Sequence, residues 1–405
     1  PVPYFPLVDS LKPRFTPKEF LTHAGVDGLP VVYYRYLHLP VFGMLPQPFL
    51  MAHYGAKAIE MLGIMDTIDC IDGHYLYPDG VAATQLATRY GKPVVLSARG
   101  SDVNVMFRFP VVRKMIVDSL NSAQGIVAVS EALRERIAAH GIARERIDVI
   151  PNGVDHTAFH PESTEHSSTR TRTVLMVGRL ERHKGQHLLL EALEHLRSAA
   201  SEHEIECIFA GVGRLERRIR RWAGRHTSGV RVTIEGLVPH DRLPALYGRA
   251  DVCCLLSRAE GCPNVVLESL ACGTPVLATD VGDLRGRMRD GTPGLVLVKR
   301  DSEAIARALG RIFEQEWNRE TVARSVRGRT WKSCGEKAAA LVERVGSRRD
   351  PHRLRVLTYT TLFPNNTNAN HAVFVRERMR YAGRRCDLQV VAPVPFFPPL
   401  PLNRK

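Results

Sequence analysis

The chain has 405 residues, of which 44% are hydrophobic and 24% are charged. This length exceeds what one ordinary core holds and predicts two domains, and the composition excludes a chain that is disordered throughout. Lys and Arg outnumber Asp and Glu by 56 to 42, which gives a net charge of +14 and favours anionic partners. The basic residues are scattered, without the aromatic-interleaved basic segments of single-strand binders, so we exclude nucleic acid as the partner.

The cysteines and the first residues of the sequence indicate the cellular compartment in which we expect the protein. The eight cysteines contain no CxxC pair, so we expect neither a zinc site nor a disulfide framework. The sequence also lacks a run of about 18 apolar residues, the length that a transmembrane helix needs. Residues 1–6 lack the basic start and the apolar core of a signal peptide. We therefore expect a cytoplasmic protein with reduced thiols.

The first distinctive segment, Val31 to Leu50, is rich in aromatic residues. Pro40, Pro46 and Pro48 interrupt it, so it cannot form one long helix. We expect it to pack inside the first domain. The alternative is that it lies on a membrane surface, as a peripheral contact at the inner face of the cell membrane.

Short apolar runs of strand type alternate with helical stretches along most of the chain. Examples are Pro93–Leu96, Ile126–Val129, Val174–Val177, Ile205–Ala210, Val252–Leu256 and Pro275–Ala278. This alternation predicts α/β domains with parallel sheets and crossover helices. The polar segment Ser163 to Arg172 has no periodicity and is typical of a linker, and a second α/β unit follows it from Thr173 to about Arg329. Two such units facing each other would bind a ligand at the carboxyl ends of their strands.

A basic loop follows the strand at Val174 to Val177. It runs from Gly178 to Gly185 and contains Arg179 and Lys184. These two cations could converge on a diphosphate, Arg as a planar fork and Lys as a point charge. The alternative is a solvated basic loop. The GxG at residues 211–213 also follows a strand, but by itself it is a weak signal.

A second strand-to-helix loop follows Val252 to Leu256. The helix behind it is predicted to have Pro263 in its first turn and to stop at Gly273, and its N-terminus presents backbone N–H groups to an anion. Glu260 precedes this helix. Glu268 lies more than one turn inside it, where a carboxylate can accept hydrogen bonds from two adjacent sugar hydroxyls. The alternative is that Glu260 favours the helix dipole and Glu268 is a solvated helix residue.

Together these motifs resemble the family-four retaining glycosyltransferases, which have the GT-B fold of two Rossmann-like domains facing across a cleft. Residues 260–276 match the E-x7-E signature of that family, with Cys262 where Phe is usual. Residues 178–185 match its GR-x-x-x-x-KG loop, and residues 151–155 match its PNGVD turn. The resemblance covers essentially the whole chain.

The resemblance implies a donor site for a nucleotide-diphosphate sugar. Arg179 and Lys184 would hold the diphosphate and stabilise charge on the leaving nucleotide, with no metal or other cofactor required. Glu268 would hold the ribose hydroxyls, Glu260 would contact the donor sugar near its reacting face, and residues 236–247 would lie near the base. The implied donor-binding set also includes Gly178, Gly213, Gly261, Cys262, Pro263, Asn264 and Val265.

The same resemblance places the acceptor on the first domain. Residues 72–80 match the H-Y-x-Y-P-D-G segment of the family, which makes His74 a catalytic candidate in contact with acceptor or sugar; a structural histidine is the alternative. Residues 98–102 resemble the HGxD loop of relatives, but Arg99 replaces the His that many members place at the cleft. The replacement indicates an anionic or phosphate-bearing acceptor near Arg99 and Asp102.

The C-terminal segment carries elements that the family places at the N-terminus. A predicted strand at residues 354–359 is followed by a loop that contains Asn370 and His371, which the resemblance puts on the acceptor side. A helix to about Tyr381 and a second strand at Leu388 to Ala392 complete a βαβ unit.

Two explanations account for this order, a circular permutation and excision from tandem copies. Residues 393–398 nearly repeat residues 1–6, and both explanations fit this repeat. In either case strand Leu354 to Thr358 should join the same sheet as Val94 to Leu96. The loop and helix start at Asn368 to Phe374 should then reach the acceptor site.

This interpretation divides the chain into four segments. Residues 1–165 would form most of the acceptor-side domain, 166–330 the donor-binding domain, 331–350 a crossover helix and joint, and 351–405 the displaced βαβ unit. The predicted function is transfer of a hexosyl unit, with retention, to a glycan, glycolipid or other hydroxyl acceptor in surface polysaccharide or lipopolysaccharide biosynthesis. The alternatives are an inactive nucleotide-sugar-binding protein and a nucleotide-sugar epimerase.

Overall fold

A computed structural model gives the fold of residues 21–38, 44–161, 171–198, 204–225, 229–289, 291–346, 353–364 and 372–396. Contacts divide the chain into unit 1, residues 1–152 with 331–405, and unit 2, residues 153–330. Unit 1 contains an eight-stranded sheet and unit 2 a six-stranded sheet.

The strands in these ranges are, in chain order, β1 Leu21–Val26, β2 Leu29–Leu37, β3 Cys70–His74, β4 Val94–Ala98, β5 Gly125–Ala128, β6 Ile147–Val149, β7 Thr171–Val177, β8 Glu204–Ala210, β9 Val230–Gly236, β10 Val252–Leu255, β11 Val276–Thr279, β12 Leu295–Val298, β13 Arg355–Tyr359 and β14 Asp387–Phe396.

The α-helices are α1 Gln47–Leu62, α2 Val81–Tyr90, α3 Ser101–Asn104, α4 Pro110–Ser122, α5 Glu131–Ala138, α6 Gln186–Ser198, α7 Glu216–Ala223, α8 Leu243–Arg249, α9 Asn264–Ala271, α10 Leu284–Arg289, α11 Ser302–Glu314, α12 Arg319–Arg324, α13 Trp331–Val345 and α14 Val373–Ala382. Helices alternate with strands through most of both units, as the apolar runs predicted.

The sheet of unit 1 has the order β1-β2-β14-β13-β3-β4-β5-β6. Only the β1–β2 pair is antiparallel among the described strands of this sheet, and all its other neighbours are parallel. Every residue of β3, β4 and β5 is buried. Strands that are buried along their whole length belong to parallel sheets that are covered on both faces.

The C-terminal βαβ segment lies in the middle of this sheet. β13 pairs in parallel with β3, with Val356 opposite Cys70, and β3 pairs with β4 in turn. The prediction that strand Leu354 to Thr358 joins the sheet of Val94 to Leu96 is therefore confirmed. Asn370 and His371, with the rest of residues 365–371, lie outside the described residues.

Helix α13 (Trp331–Val345) packs on the same sheet. Its buried side chains form one core cluster with residues of the strands, including Val95 and Val127. A Cβ on Gly335 would lie 2.5 Å from the Cβ of Tyr381, so the missing side chain permits α13 to approach α14 closely.

The aromatic segment Val31 to Leu50 contributes to the core of unit 1. Tyr33, Tyr34 and Tyr36 of β2 are at most 3% exposed, and Tyr34 Oη donates a 2.8 Å hydrogen bond to the carbonyl of Met51. Packing inside the first domain is thus confirmed for β2, whereas residues 39–43 lie outside the described residues. Among the helices of the described ranges, none is both long and apolar enough to cross a bilayer.

The sheet of unit 2 is entirely parallel in its described strands, with the order β12-β11-β10-β7-β8-β9. β7 begins at Thr171, inside the segment predicted as a linker. The polar residues Thr171 and Arg172 belong to the strand because they pair with β8, and Arg172 also contacts the carboxylate of Asp251 at 3.5 Å. The remaining linker residues, 163–170, lie outside the described residues.

Candidate functional site

Three loops meet at the carboxyl ends of the central strands of unit 2. They follow β7, β8 and β10 and contain the predicted donor-binding residues. Leu180 N donates to the carbonyl of Val212 at 3.0 Å, and Arg258 N donates to the carbonyl of His183 at 2.9 Å. These backbone bonds tie the loop after β7 to the other two, so residues distant in sequence occupy one edge of the sheet.

Two glycines explain how closely these loops approach. Gly185 has φ +93°, and a Cβ there would lie 2.4 Å from the carbonyl oxygen of Leu256. A Cβ on Gly213 would lie 2.4 Å from the carbonyl oxygen of Leu180. Any larger residue would push the backbones apart, so both glycines are required by packing.

Lys184 and Glu260 form an ion pair, with 2.6 Å between Nζ and Oε1. Their side chains are 22% and 17% exposed, so the pair is partly shielded from solvent. Arg179, on the same loop as Lys184, is more open, with its side chain 52% exposed and Nη1 at 3.4 Å from Glu181. Of the three predicted catalytic residues in unit 2, Lys184 and Glu260 are thus in direct contact, and Arg179 is accessible to a ligand.

The electrostatic character of this loop is visible at His183. Burial lowers the pKa of this imidazole, and the positive charges of Lys184 and Arg179 lower it further against the opposing carboxylates of Glu181 and Glu260. The loop is net positive even with a neutral histidine, because Arg179, Arg182 and Lys184 outnumber Glu181, and a positive loop suits an anionic ligand.

Helix α9 (Asn264–Ala271) follows Glu260 at this edge. Pro263 occupies the N-cap position, one residue before the first turn where the sequence had placed it, and makes no side-chain cap. Gly273 has φ +76°, as the predicted helix stop requires. Cys262 is buried, and Asn264 and Val265 at the helix start are half-buried, below the loop that carries Gly261.

Glu268 is held in place by two side chains. It is 8% exposed; the Tyr247 hydroxyl donates to Oε2 at 2.9 Å, and Nε2 of His240 lies 3.2 Å from Oε1. The alternative of a solvated helix residue is therefore wrong. Burial and the charge of Glu268 raise the pKa of Tyr247 well above its usual value, so the hydroxyl remains a donor.

His240 and Tyr247 were not singled out by sequence reasoning, which only placed residues 236–247 near the base. Phe159 packs against both, with ring centroids 5.1 Å from His240 and 6.1 Å from Tyr247. The available signal was their spacing of i and i+7, which puts two polar aromatic residues on one face of a helical segment.

A second cluster lies within unit 1, where His74 is fully buried. Its Nε2 is 2.8 Å from Oδ2 of Asp72, and its Nδ1 contacts Nη2 of Arg99. Because Arg can only donate, Nδ1 must accept and Nε2 must carry the proton. The ring is thus a neutral link between Arg99 and Asp72, and burial lowers its pKa to about 4.

Asp102 is also fully buried and organises the loop after β4. Its carboxylate accepts backbone N–H groups from Leu76 at 2.9 Å, Arg99 at 3.0 Å and Gly100 at 2.7 Å. Burial raises its pKa, although these N–H groups oppose the shift. Asp102 thereby fixes the backbone position of Arg99, and its predicted contact with an acceptor stays a prediction.

Arg378 of α14 also belongs to this cluster. The sequence predicted the helix but did not single out Arg378, because nothing in the local pattern distinguishes it from the other arginines of the helix. Arg378 is 1% and Arg99 8% exposed, and Arg378 Nη1 donates to Ser97 Oγ at 3.3 Å. Nε and Nη1 of Arg99 and Nε of Arg378 have no hydrogen-bond partner in the part of the chain that the structure describes. Two buried guanidinium groups thus retain unused donors.

The charges of this cluster are strongly coupled. Burial and the charge of Arg378 lower the pKa of Arg99 to about 9. Burial would raise the pKa of Asp72, but His74, Arg378 and Arg99 outweigh it and hold that pKa below its ordinary value. The Arg99 guanidinium also lies over the Phe374 ring at 5.5 Å. The arrangement can accommodate an added anion more easily than an added cation.

Comparison with known proteins places these features in a family. The model of glycosyl transferases group 1 matches residues 161–329, and that of glycosyltransferase family 4 matches residues 14–158. The putative teichuronic acid biosynthesis glycosyltransferase TuaC of Bacillus subtilis is 32% identical over 305 residues, 72% of this chain and 74% of the relative. This chain belongs to the family 4 glycosyltransferases.

Two further relatives of the glycosyltransferase carry more specific names. The GDP-mannose-dependent alpha-(1-6)-phosphatidylinositol monomannoside mannosyltransferase of Mycolicibacterium smegmatis is 28% identical, with 78% of this chain and 85% of the relative covered. The D-inositol 3-phosphate glycosyltransferase of Nocardiopsis dassonvillei is 30% identical, with 72% and 74% covered.

Solved structures show the fold of the glycosyltransferase. Sucrose-phosphate synthase of Thermosynechococcus elongatus matches with a TM-score of 0.63 at 20% identity, over 76% of this chain and 80% of the other. Anabaena HepE in complex with UDP-glucose matches with a TM-score of 0.60 at 20% identity, over 74% and 84%. The predicted fold class, two Rossmann-like units of the GT-B type, is confirmed.

Unit 1 of the glycosyltransferase should lose stability as pH falls below about 6.5, because of His74. Its pKa falls from 6.5 to about 4 on folding, so in this window the unfolded chain binds a proton that the folded chain does not. The loss should be about 1.5 kcal/mol between about pH 6.5 and pH 5. Urea unfolding at a series of pH values measures it.

The comparison variant for this prediction is His74→Gln, which lacks the titrating group and should show a flatter pH profile. His53→Gln, at an exposed position of α1, is the matched control and should follow wild type. Equal slopes for wild type and His74→Gln would contradict the assignment.

Proposed function

We propose that this glycosyltransferase transfers a hexosyl unit, with retention of configuration, from a nucleotide-diphosphate sugar to a hydroxyl of a glycan, glycolipid or related acceptor. The observation that carries the proposal is the Lys184–Glu260 ion pair at the sheet edge of unit 2, beside the helix that holds Glu268. The process would be assembly of surface polysaccharide or lipopolysaccharide, in the cytoplasm or at the inner face of the membrane.

In the proposed mechanism unit 2 binds the donor. Arg179 and Lys184 supply positive charge where the diphosphate leaves, so the developing negative charge is stabilised without a required metal. Lys184 has three N–H donors and can hold a phosphate oxygen while it still contacts Glu260. That contact would keep the Glu260 carboxylate at the sugar rather than in solvent.

Glu268 would take the ribose of the donor. The Tyr247 and His240 contacts fix both carboxylate oxygens in position before a ligand arrives. Each oxygen has a further lone pair that a ribose hydroxyl can occupy. Preorganisation of this kind reduces the entropy lost on binding. The support from relatives is that one uses GDP-mannose by name and that HepE binds UDP-glucose.

Unit 1 would bind the acceptor through an anionic group. Arg99 and Arg378 have N–H donors that no described residue accepts, and these suit a phosphate, which arginine can bind with two parallel hydrogen bonds. The name of the Nocardiopsis relative, a D-inositol 3-phosphate glycosyltransferase, supports a phosphate-bearing acceptor. In this proposal His74 orients Arg99 and does not touch the reacting atoms.

A donor panel tests the proposal. UDP-, GDP- and ADP-sugars are incubated with glycan and inositol phosphate acceptors, nucleoside diphosphate release is followed, and the anomeric configuration of the product is read by NMR. We expect release with one base and a product of unchanged anomeric configuration. Release in no combination would favour an inactive binding protein, and conversion of the donor sugar without an acceptor would favour an epimerase.

The acceptor preference should change when Arg99 is replaced by Met. The variant should lose about tenfold or more in kcat/KM for a phosphate-bearing acceptor, because a charged hydrogen-bond donor is removed, and little for its unphosphorylated form. Arg89→Gln, an exposed residue paired with Glu60, is the charge-matched control. Equal losses with both acceptors would show that Arg99 is only structural.

A further inference from the structure

Unit 2 contains a pocket that the proposed function does not use. It has a volume of about 430 Å³ and opens at the carboxyl ends of β10, β11 and β12. None of the described residues that line it belongs to the predicted donor set. Its volume falls within the range of roughly 300–1,000 Å³ that is typical of small-molecule sites.

The lining of this pocket is basic. Arg258, Arg285, Lys299 and Arg300 contribute side chains, and the carboxylate in the lining, Asp280, is paired with Arg285. Among the residues that the structure describes, no carboxylate lies within ion-pair distance of Arg258, Lys299 or Arg300. The positive charge of these three side chains is therefore not neutralised by a carboxylate of the described residues.

The guanidinium of Arg300 is fixed at this site. Its Nε donates to the carbonyl of Leu256 at 2.9 Å and its Nη2 to the carbonyl of Arg182 at 3.3 Å. Burial lowers the pKa of Arg300, and the charges of Arg258 and Arg182 lower it further. The backbone hydrogen bonds thus hold Arg300 near two other positive charges, and an anion between them would reduce the repulsion.

A hydroxyl with an unmet hydrogen bond also lies in the pocket lining. Ser257 is 1% exposed, and its Oγ has no hydrogen-bond partner within the described ranges. Its backbone carbonyl accepts the Thr279 hydroxyl at 2.7 Å, which fixes the residue. A buried hydroxyl without a partner is unfavourable, so a pocket that contains one is suited to a ligand that supplies the missing hydrogen bond.

We infer that this basic pocket binds a small phosphate-bearing sugar at a site separate from the nucleotide-sugar site. The phosphate would lie among Arg258, Lys299 and Arg300, since guanidinium forks and an ammonium match its oxygens. The sugar hydroxyls would meet Ser257 Oγ and the Asp280 carboxylate. The pocket is larger than phosphate alone would fill, so a sugar attached to the phosphate could occupy the rest of it.

Isothermal titration calorimetry on the full chain tests this inference with glucose 6-phosphate, inorganic phosphate and glucose as probes. We expect glucose 6-phosphate to bind more tightly than either fragment. Arg258→Gln with Lys299→Gln should weaken it by roughly tenfold or more, because two charged contacts are removed. Binding of glucose as tight as that of glucose 6-phosphate would overturn the inference.

Two matched double variants separate this site from other basic surfaces. Arg217→Gln with Arg221→Gln removes the same charge from exposed positions of α7 and should bind like wild type. Arg179→Gln with Lys184→Gln disables the proposed donor loop and should also bind glucose 6-phosphate like wild type. The basic pocket is not the site if only the donor-loop variant loses affinity for glucose 6-phosphate. The same conclusion follows if this variant, the α7 variant and the pocket variant all lose affinity equally.

Ser257→Ala provides a readout that a merely structural serine would not give. Removing an unpartnered buried hydroxyl should leave the thermal midpoint unchanged or raised, while the affinity for glucose 6-phosphate falls by roughly fivefold. A lowered midpoint with unchanged affinity would show that Ser257 serves the fold and not a ligand.

Discussion

Replacing Lys184 with Ala should lower kcat for sugar transfer by about 10²–10³-fold, the scale seen when one preorganised electrostatic group is removed from an active site. The substitution removes the charge that would face the departing diphosphate and also leaves Glu260 without its 2.6 Å partner. KM for the donor should change less than kcat, because the charge on the diphosphate grows in the transition state. Steady-state assays of nucleoside diphosphate release measure both constants.

A double-mutant cycle with Glu260→Gln resolves the two effects of this substitution. If Lys184 and Glu260 act as one unit, the double variant should be hardly worse than Lys184→Ala alone. Arg307→Ala, on the exposed face of α11, is a control for the loss of a positive charge from unit 2. A Lys184→Ala enzyme with kcat within a few fold of wild type would remove Lys184 from the mechanism.

Replacing Glu268 with Ala should weaken donor binding by about 1–3 kcal/mol, since ribose hydroxyls would lose a charged acceptor. The effect should depend on the ribose. Wild type should bind the nucleoside diphosphate of its donor more tightly than the 2′-deoxy form, and the variant should bind both alike. Fluorescence or calorimetric titration with the two nucleotides provides the comparison.

Two further variants serve as comparisons for Glu268→Ala. Tyr247→Phe removes one of the two contacts that hold the carboxylate and should show a smaller loss of affinity. Glu303→Ala, at a largely exposed position of α11, should bind both nucleotides normally. If Glu268→Ala retains the preference for the ribonucleotide, the carboxylate does not hold the ribose.

Local patterns predicted the elements that carry the candidate site. The loop before α9 and the stop at Gly273 could be read because strand, proline and glycine signals act over a few residues. Partners distant in sequence could not be read in this way. Lys184 meets Glu260 because the neighbouring strands β7 and β10 end at one edge of the sheet. His240 meets Glu268 because α8, which follows His240, packs against α9.

The buried cluster of Asp72, His74, Arg99 and Arg378 in unit 1 shows a different limit of sequence reasoning. Arg99 attracted attention because it replaces a histidine of the family, whereas Arg378 lies in a helix rich in exposed arginines. Arg376 and Arg380, its neighbours in α14, are more exposed and pair with Asp27 and Glu377, while Arg378 is buried. Which of three alternating arginines faces the sheet depends on how α14 packs, and the composition of the helix does not reveal that.

The position of β13 and β14 within the sheet of unit 1 has a consequence for folding. β13 pairs with β3 and β14 pairs with β2, so strands from opposite ends of the described ranges must meet, whereas unit 2 is continuous in sequence. Parallel pairing between such distant segments is slow, because the entropy of closing a long loop is lost before the contacts form. We therefore expect unit 2 to fold before the sheet of unit 1 is complete.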